Sequence, residues 1–314
     1  MQLNYKSKQD HWEQFATVRA RPRRMIEDDT LDLHYFPISR QPICVHPLVL
    51  ARGPEATRFL LIQSAYKYMT DIALTETEVI NEGVLKIAND RLAYHFPPEM
   101  RLDAVTVMVD EAYHTYVAMD FMQQIQEKTG VPPIELVPET ELNNAITAIK
   151  KTLPKELNDI FQIIAVCIGE NSITKDLVDF KKETQLNPTF KDVMIDHLAD
   201  EARHSGYFKN VLTVFWEQLS NEEKDAMVEI LPTFIREYLK ADHQRRFDRN
   251  ALKALNFSDT EIETIIQDTH VGRTEESFKA INPIVKNIVE FLQKSHVLDY
   301  PPAREVFKKH KLID

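Results

Sequence analysis

Two segments ninety residues apart, DEAYH (Asp110–His114) and DEARH (Asp200–His204), agree at Asp, Glu, Ala and His, and each lies in a stretch of chain with a helical apolar period. On a helix turning about 100° per residue, His197, Glu201 and His204 fall within roughly 60° of one another. Val193, Met194, Phe208 and Leu212 continue the same stripe. Glu111 and His114 likewise share a face with Ala104, Val107, Met108, Ala118 and Met122. Ionisable side chains aimed into an apolar face are costly to bury unpaired. A metal ion removes the conflict, because neutral imidazole and carboxylate are both ligands. One Glu-x-x-His pair on each of two helices is half of a carboxylate-bridged bundle site, which takes one further Glu from each of two other helices.

The rest of the chain supplies those helices. Glycine is scarce, at 6 of 314 residues, and apolar residues recur with a 3.6-residue period far more than by alternation, so the sequence predicts a mostly helical protein. Long helices are expected over 54–91 (with one break), 101–127, 154–182 and 189–217, separated by the proline-bearing HFPPEM and TQLNP. SNEE and SDTE read as capping boxes, with Ser220 and Ser258 as the caps of later, shorter helices. Residues 1–53, with FPISRQPICVHPLV, read as an extended arm lying on the body, with short strands. No segment is poor enough in apolar residues to be a linker. The expectation is one domain over 1–314: the arm 1–53, a metal-binding bundle core 54–217 and additional C-terminal helices 218–314.

Glu170 shares a stripe with Ile163, Val166 and Cys167. Of Glu76, Glu78 and Glu82, helical phase favours Glu76, whose neighbours at three and four residues are Ile72, Ala73, Val79 and Ile80, whereas Glu78 faces Thr75, Asn81 and Glu82. The order becomes Glu76, Glu111/His114, Glu170, Glu201/His204, with similar spacing in the two halves: 35 residues from Glu76 to Glu111 and 31 from Glu170 to Glu201. A lone Glu-x-x-His is ordinarily a surface ion pair. Six such residues in this order, with His197 as a seventh, point to two metal ions. Four carboxylates and three histidines, with no thiolate, suit iron or manganese. Asp110 and Asp200 each precede a candidate ligand and are expected to accept a ligand histidine N–H.

Several functions are disfavoured. A formal charge of −11 argues against nucleic acid as a main partner. Two cysteines, Cys44 and Cys167, form no disulfide or zinc pattern. MQLNYKSKQDHWEQF lacks the apolar stretch of a signal peptide, and no run approaches the roughly 18 apolar residues of a membrane span, so a cytoplasmic protein is expected. Two arginine groups, Arg19, Arg21, Arg23 and Arg24 in the arm and Arg245, Arg246 and Arg249 in HQRRFDRN, read as solvated surface, with anion binding as the functional alternative.

These residues resemble the p-aminobenzoate N-oxygenase (AurF-like) family of diiron proteins, which is similar to other ferritin-like oxygenases in its twice-repeated Glu followed, after a long gap, by Asp-Glu-x-x-His. Here the repeats are Glu76 with DEAYH and Glu170 with DEARH. The family's less common feature, an extra histidine one turn before the last Glu, is matched by His197. The resemblance runs from FPISRQPICVHP to about residue 217. It implies an all-α, ferritin-like four-helix bundle core and a site holding two iron ions, with manganese as the other candidate. It further implies O₂ as co-substrate and oxygen transfer to an amine nitrogen, giving a hydroxylamine or more oxidised products, as in secondary-metabolite biosynthesis. No catalytic residue beyond the metal ligands is implied. A free arylamine, an amino acid and a carrier-bound aminoacyl group all remain open as substrate, and a diiron enzyme oxidising carbon is the rival reading. With no Gly-x-Gly-x-x-Gly segment, electrons are expected from a separate reductase, carrier or peroxide. The oligomeric state is left open, with a homodimer as one candidate.

Overall fold

A computed structural model describes residues 5–176, 185–270 and 283–314. The molecule is all-α. The helices are α1 (Gln9–Phe15), α2 (Thr17–Ala20), α3 (Pro47–Leu50), α4 (Pro54–Leu74), α5 (Asn81–Ala88), α6 (Pro98–Thr129), α7 (Glu141–Lys150), α8 (Asn158–Asp176), α9 (Pro188–Gln218), α10 (Asn221–Tyr238), α11 (Asp242–Ala254), α12 (Asp259–Thr269), α13 (Pro283–Lys294) and α14 (Pro301–Lys309). Residues 177–182, the expected end of the third long helix, lie outside the described residues.

Local sequence sets the helix limits. Pro54, Pro98 and Pro188 each occupy the first turn of a long helix, where the missing N–H has no intrahelical partner to lose. Gly130 ends α6 at φ +68°, a left-handed position that glycine takes without strain. Ser220 and Ser258 form capping boxes with Glu223 and Glu261, as the sequence predicts. The break expected within 54–91 is a single π-helical stretch, Thr75–Ile80, between α4 and α5. Such wide turns are rare and concentrate at functional sites.

The arm departs from expectation. Among the described residues it contains no strand, only an isolated parallel bridge between His34 and Leu186. Its prolines start helical turns instead of extending the chain: Pro42 opens a 3₁₀ turn and Pro47 opens α3, whose first turn is capped by the His46 side chain.

In the core, α4 packs on α6 and α8 on α9; contacts of α6 with α9, and of α5 with α8, join the pairs. A Cβ on Gly83 would come within 2.9 Å of Val166, so only glycine allows this approach of α5 to α8 without a shift. Two apolar clusters fill the bundle. One takes in Val107, Tyr207 and Phe208 with α5, α8, α10, α13 and α14. The other takes in Ile72, Ala118, Phe121, Val193 and Met194 with the arm, α11 and α12. Each fully buried side chain such as Phe208 contributes about 1.5–3 kcal/mol. Between the clusters lies a buried polar layer, and that layer is the candidate site. Both cysteines are buried and free. Among the described residues no helix is long and apolar enough to cross a membrane.

Candidate metal centre

Each of the four core segments delivers its side chains to the polar layer: Glu76 from the π-helical stretch, Glu111 and His114 from α6, Glu170 from α8, and His197, Glu201 and His204 from α9. None of the seven is more than 6% exposed. Glu78, the alternative to Glu76, points outward and accepts from Asn143 at 3.0 Å. The seven residues form two groups in which one donor atom per residue lies within 4.8 Å of the others: Glu76, His114, His197 and Glu201, and Glu111, Glu170, Glu201 and His204. Glu201 belongs to both groups. Glu111 also touches both, with Oε2 3.1 Å from His114 Nδ1 and Oε1 3.0 Å from His204 Nδ1.

The protein groups alone leave this cluster in conflict. Burial raises the Glu170 carboxyl well above the usual range, and the charges of Glu201 and Glu111 add to the effect. For Glu201 burial works in the same direction, but His204 and His197 outweigh it and hold the carboxyl well below its usual value. Burial, and then His114, would lower His197, yet hydrogen bonds to Glu201 and Glu76 hold it up at about 9. Glu201 Oε2 is buried without a hydrogen-bond partner. A buried carboxylate oxygen left unpartnered in this way is stabilised by a cation. Ionised together, the four glutamates would carry a charge of −4, which two divalent ions would cancel. Oxygen and imidazole donors in this ratio fit iron or manganese.

A surrounding frame orients the histidines. His114 Nε2 lies 3.1 Å from Asp200 Oδ2, and His204 Nε2 lies 3.1 Å from Asp110 Oδ2, so each aspartate serves the histidine of the opposite helix. These contacts fix both rings with Nδ1 toward the carboxylates. Arg203 donates to Asp110 and, at 3.0 Å, to Asp200, tying the two helices together. The arm completes the frame: Trp12 Nε1 donates to Asp110 Oδ1 at 2.8 Å, and the Thr17 hydroxyl and backbone N–H donate to Asp200. Sequence reasoning missed Arg203, Trp12 and Thr17. Arg203 occupies the variable place in DEARH and gives a weak signal. The other two act across 98 and 183 residues of chain, and no local pattern reports such contacts.

Neither arginine group joins the cluster. Arg19 pairs with Glu13, Arg21 with Asp196, Arg23 with Asp120, and Arg24 with Asp192 and Asp196. Arg245, Arg246 and Arg249 pair with Asp242, Glu139 and Glu263. Two clefts reach the polar layer. One opens between the arm and the α6–α9 pair, with Arg21, Arg23 and Arg24 at its rim and Met69, Tyr113, Phe121 and His197 inside. The other is bordered by Tyr68, Asp71, Glu76, Glu141, His197 and Tyr238.

The family model described as P-aminobenzoate N-oxygenase AurF matches residues 22–295. A 4-aminobenzoate N-oxygenase from Streptomyces thioluteus is 23% identical over 247 residues, covering 72% of this chain and 70% of that protein. With a match over most of its length, the chain belongs to the p-aminobenzoate N-oxygenase AurF family of oxygen-dependent oxidoreductases.

Proposed function

We propose that this protein is a non-haem diiron N-oxygenase, built as a single ferritin-like domain, that oxidises the amine nitrogen of a small or carrier-bound substrate. The observation that carries this reading is the sharing of Glu201 between two donor groups, which is what a carboxylate bridging two ions requires. Glu76, His114 and His197 would hold one ion, and Glu170 and His204 the other, with Glu201 and Glu111 between them. When bound, the metal pair supplies the reduction of O₂ and the transfer of one oxygen atom. The overall change is R–NH₂ + O₂ + 2e⁻ + 2H⁺ → R–NHOH + H₂O, with further oxidation of the product by the same logic.

The chain's own residues have defined tasks. Asp110 and Asp200 keep the Nε2–H tautomer of His204 and His114, so that Nδ1 faces the carboxylates. The flanking apolar clusters keep bulk water from the polar layer. The clefts that reach His197 give an amine access from solvent. The name of the Streptomyces relative makes 4-aminobenzoate the first substrate to test.

The test is direct. Iron and manganese are counted in the purified protein, and the iron-loaded, reduced enzyme is then given ¹⁸O₂ with a panel of arylamines, including 4-aminobenzoate, and amino acids. Two irons per chain and ¹⁸O on nitrogen support the proposal. Carbon-oxidised products from the same protein would replace it with the carbon-oxidising reading.

A further inference from the structure

A helix on the outside of a bundle ordinarily turns polar residues to solvent. On α6 the outer face departs from that rule. Between residues 102 and 119 its exposed positions are Leu102, Val105, Val109, Ala112, Tyr116 and Met119, and every one is apolar. Leu102 is 46% accessible and Met119 59%. Further along the same helix the ordinary pattern returns, with Gln123, Gln126, Glu127 and Lys128 exposed. The six recur at intervals of three and four residues, so they form one stripe about 26 Å long, on the side of α6 turned away from Glu111 and His114.

The arm lies beside this helix, joined to it by Trp12 with Asp110, Arg23 with Asp120 and Ile26 with Gln124, and it carries the exposed side chains Phe15 and Met25 in the same segments. Monomers rarely leave contiguous apolar patches larger than a few hundred Å² open to water, and a stable pair buries about 800 Å² on each partner. Five large exposed side chains on one stripe reach the first figure, and the arm beside them extends the surface toward the second. The pattern also selects the occupant. Spacings of three, four, three, four and three read the same from either end. A second α6, run antiparallel about a twofold axis beside residues 110 and 111, therefore meets the stripe layer by layer: Leu102 against the partner's Met119, Val105 against the partner's Tyr116 and Val109 against the partner's Ala112. A parallel pair would stack tyrosine on tyrosine about one turn from alanine on alanine, and the helices could not approach evenly. A lipid surface fits less well, because helices that lie on membranes are rich in Lys and Arg, whereas this chain carries a formal charge of −11.

We propose that the outer face of α6, from Leu102 to Met119, is the docking surface for a second copy of this chain, held as an antiparallel α6–α6 pair across a twofold axis. The pairing does not depend on the metal reading, and it leaves each polar layer on the far side of its own α6. Tyr116 belongs both to the stripe and to the cleft that reaches His197, so the partner's α6 borders the mouth of that cleft.

The experiment is sedimentation equilibrium of the full chain at micromolar concentration, for the natural protein, Val109→Glu and Met119→Lys, with helix content followed by circular dichroism. The natural protein is expected at twice the mass of one chain. Each variant buries like charges in the pair and is expected to weaken it by about tenfold or more at unchanged helix content. Both positions are exposed in the single chain, and should one variant lose helix content the other decides. Cysteines then fix the direction. Leu102→Cys mixed with Met119→Cys is expected to form an interchain disulfide on mild oxidation. Leu102→Cys alone is expected to form none, because its two copies stand about 26 Å apart along the antiparallel pair. A natural protein that sediments as one chain would overturn the proposal, and binding of that single chain to neutral lipid vesicles would put a lipid surface in place of the second copy. A pair that both charged variants leave intact would also overturn it, by placing the interface elsewhere. Ready linkage of Leu102→Cys to itself would overturn the antiparallel arrangement.

Discussion

On α6 the variable place of the Asp-Glu-x-x-His segment holds Tyr113; on α9 it holds Arg203. Tyr113 lines a cleft, while Arg203 turns inward and ties Asp110 to Asp200. The α9 half also carries His197, one turn earlier, and its aspartate is covered by Thr17; the α6 half has no matching histidine, and its aspartate leads to Trp12 near the surface. Two copies of one local motif thus differ in what packs over them. The difference separates a half that adds a donor from a half that opens toward solvent. The repeated motif gives both halves the same placement of Glu and His, and the residues packed over each copy make the halves differ.

The comparison breaks first at the residues both halves share. Glu201→Ala removes a donor from both groups, and loss of both bound ions and of N-oxygenation is expected, read by metal analysis and product assay. The same loss on chelation should lower the unfolding temperature of the natural protein, because ions bound only to the folded state stabilise it.

His197→Ala separates the halves. It removes a donor from the group of Glu76 and His114 and leaves that of Glu170 and His204 whole. A titration with ferrous ion is expected to show one weakened site and one unchanged site; two unchanged sites would remove His197 from the metal-binding set.

Smaller effects should follow from the orienting aspartates. Asp110→Asn and Asp200→Asn are each expected to weaken metal binding or activity by about 10–100-fold. Because the contacts are crossed, Asp200→Asn should disturb the ion beside His114 on α6, and Asp110→Asn the ion beside His204 on α9. Site-resolved spectra that show the reverse would refute the crossed arrangement as the working one. Smallest of all, Thr17→Val deletes one hydroxyl donor to Asp200 and is expected to cost about 1 kcal/mol in denaturant unfolding, with both metals retained.

The sequence alone determined a good deal. Helical period and proline placement announced the four long core segments, and each ends within a few residues of where the sequence reading places it, apart from the part of α8 beyond the described residues. The seven acidic and histidine residues were legible because a helix puts residues three, four and seven apart on one face, and an ionisable group on an apolar face has few explanations. Phase also selected Glu76 over Glu78, and the structure buries the first and exposes the second.

What the sequence could not decide is set by contacts between distant segments. The widened turn at Thr75–Ile80 and the helical turns of the arm are not marked by the apolar period. The crossed Asp–His pairs, the Arg203 tie and the reach of Trp12 and Thr17 onto the two aspartates depend on where helices and arm meet in space. Periodicity reports which face of a helix is buried. It carries no record of which partner buries it, and that choice is made only when the chain packs.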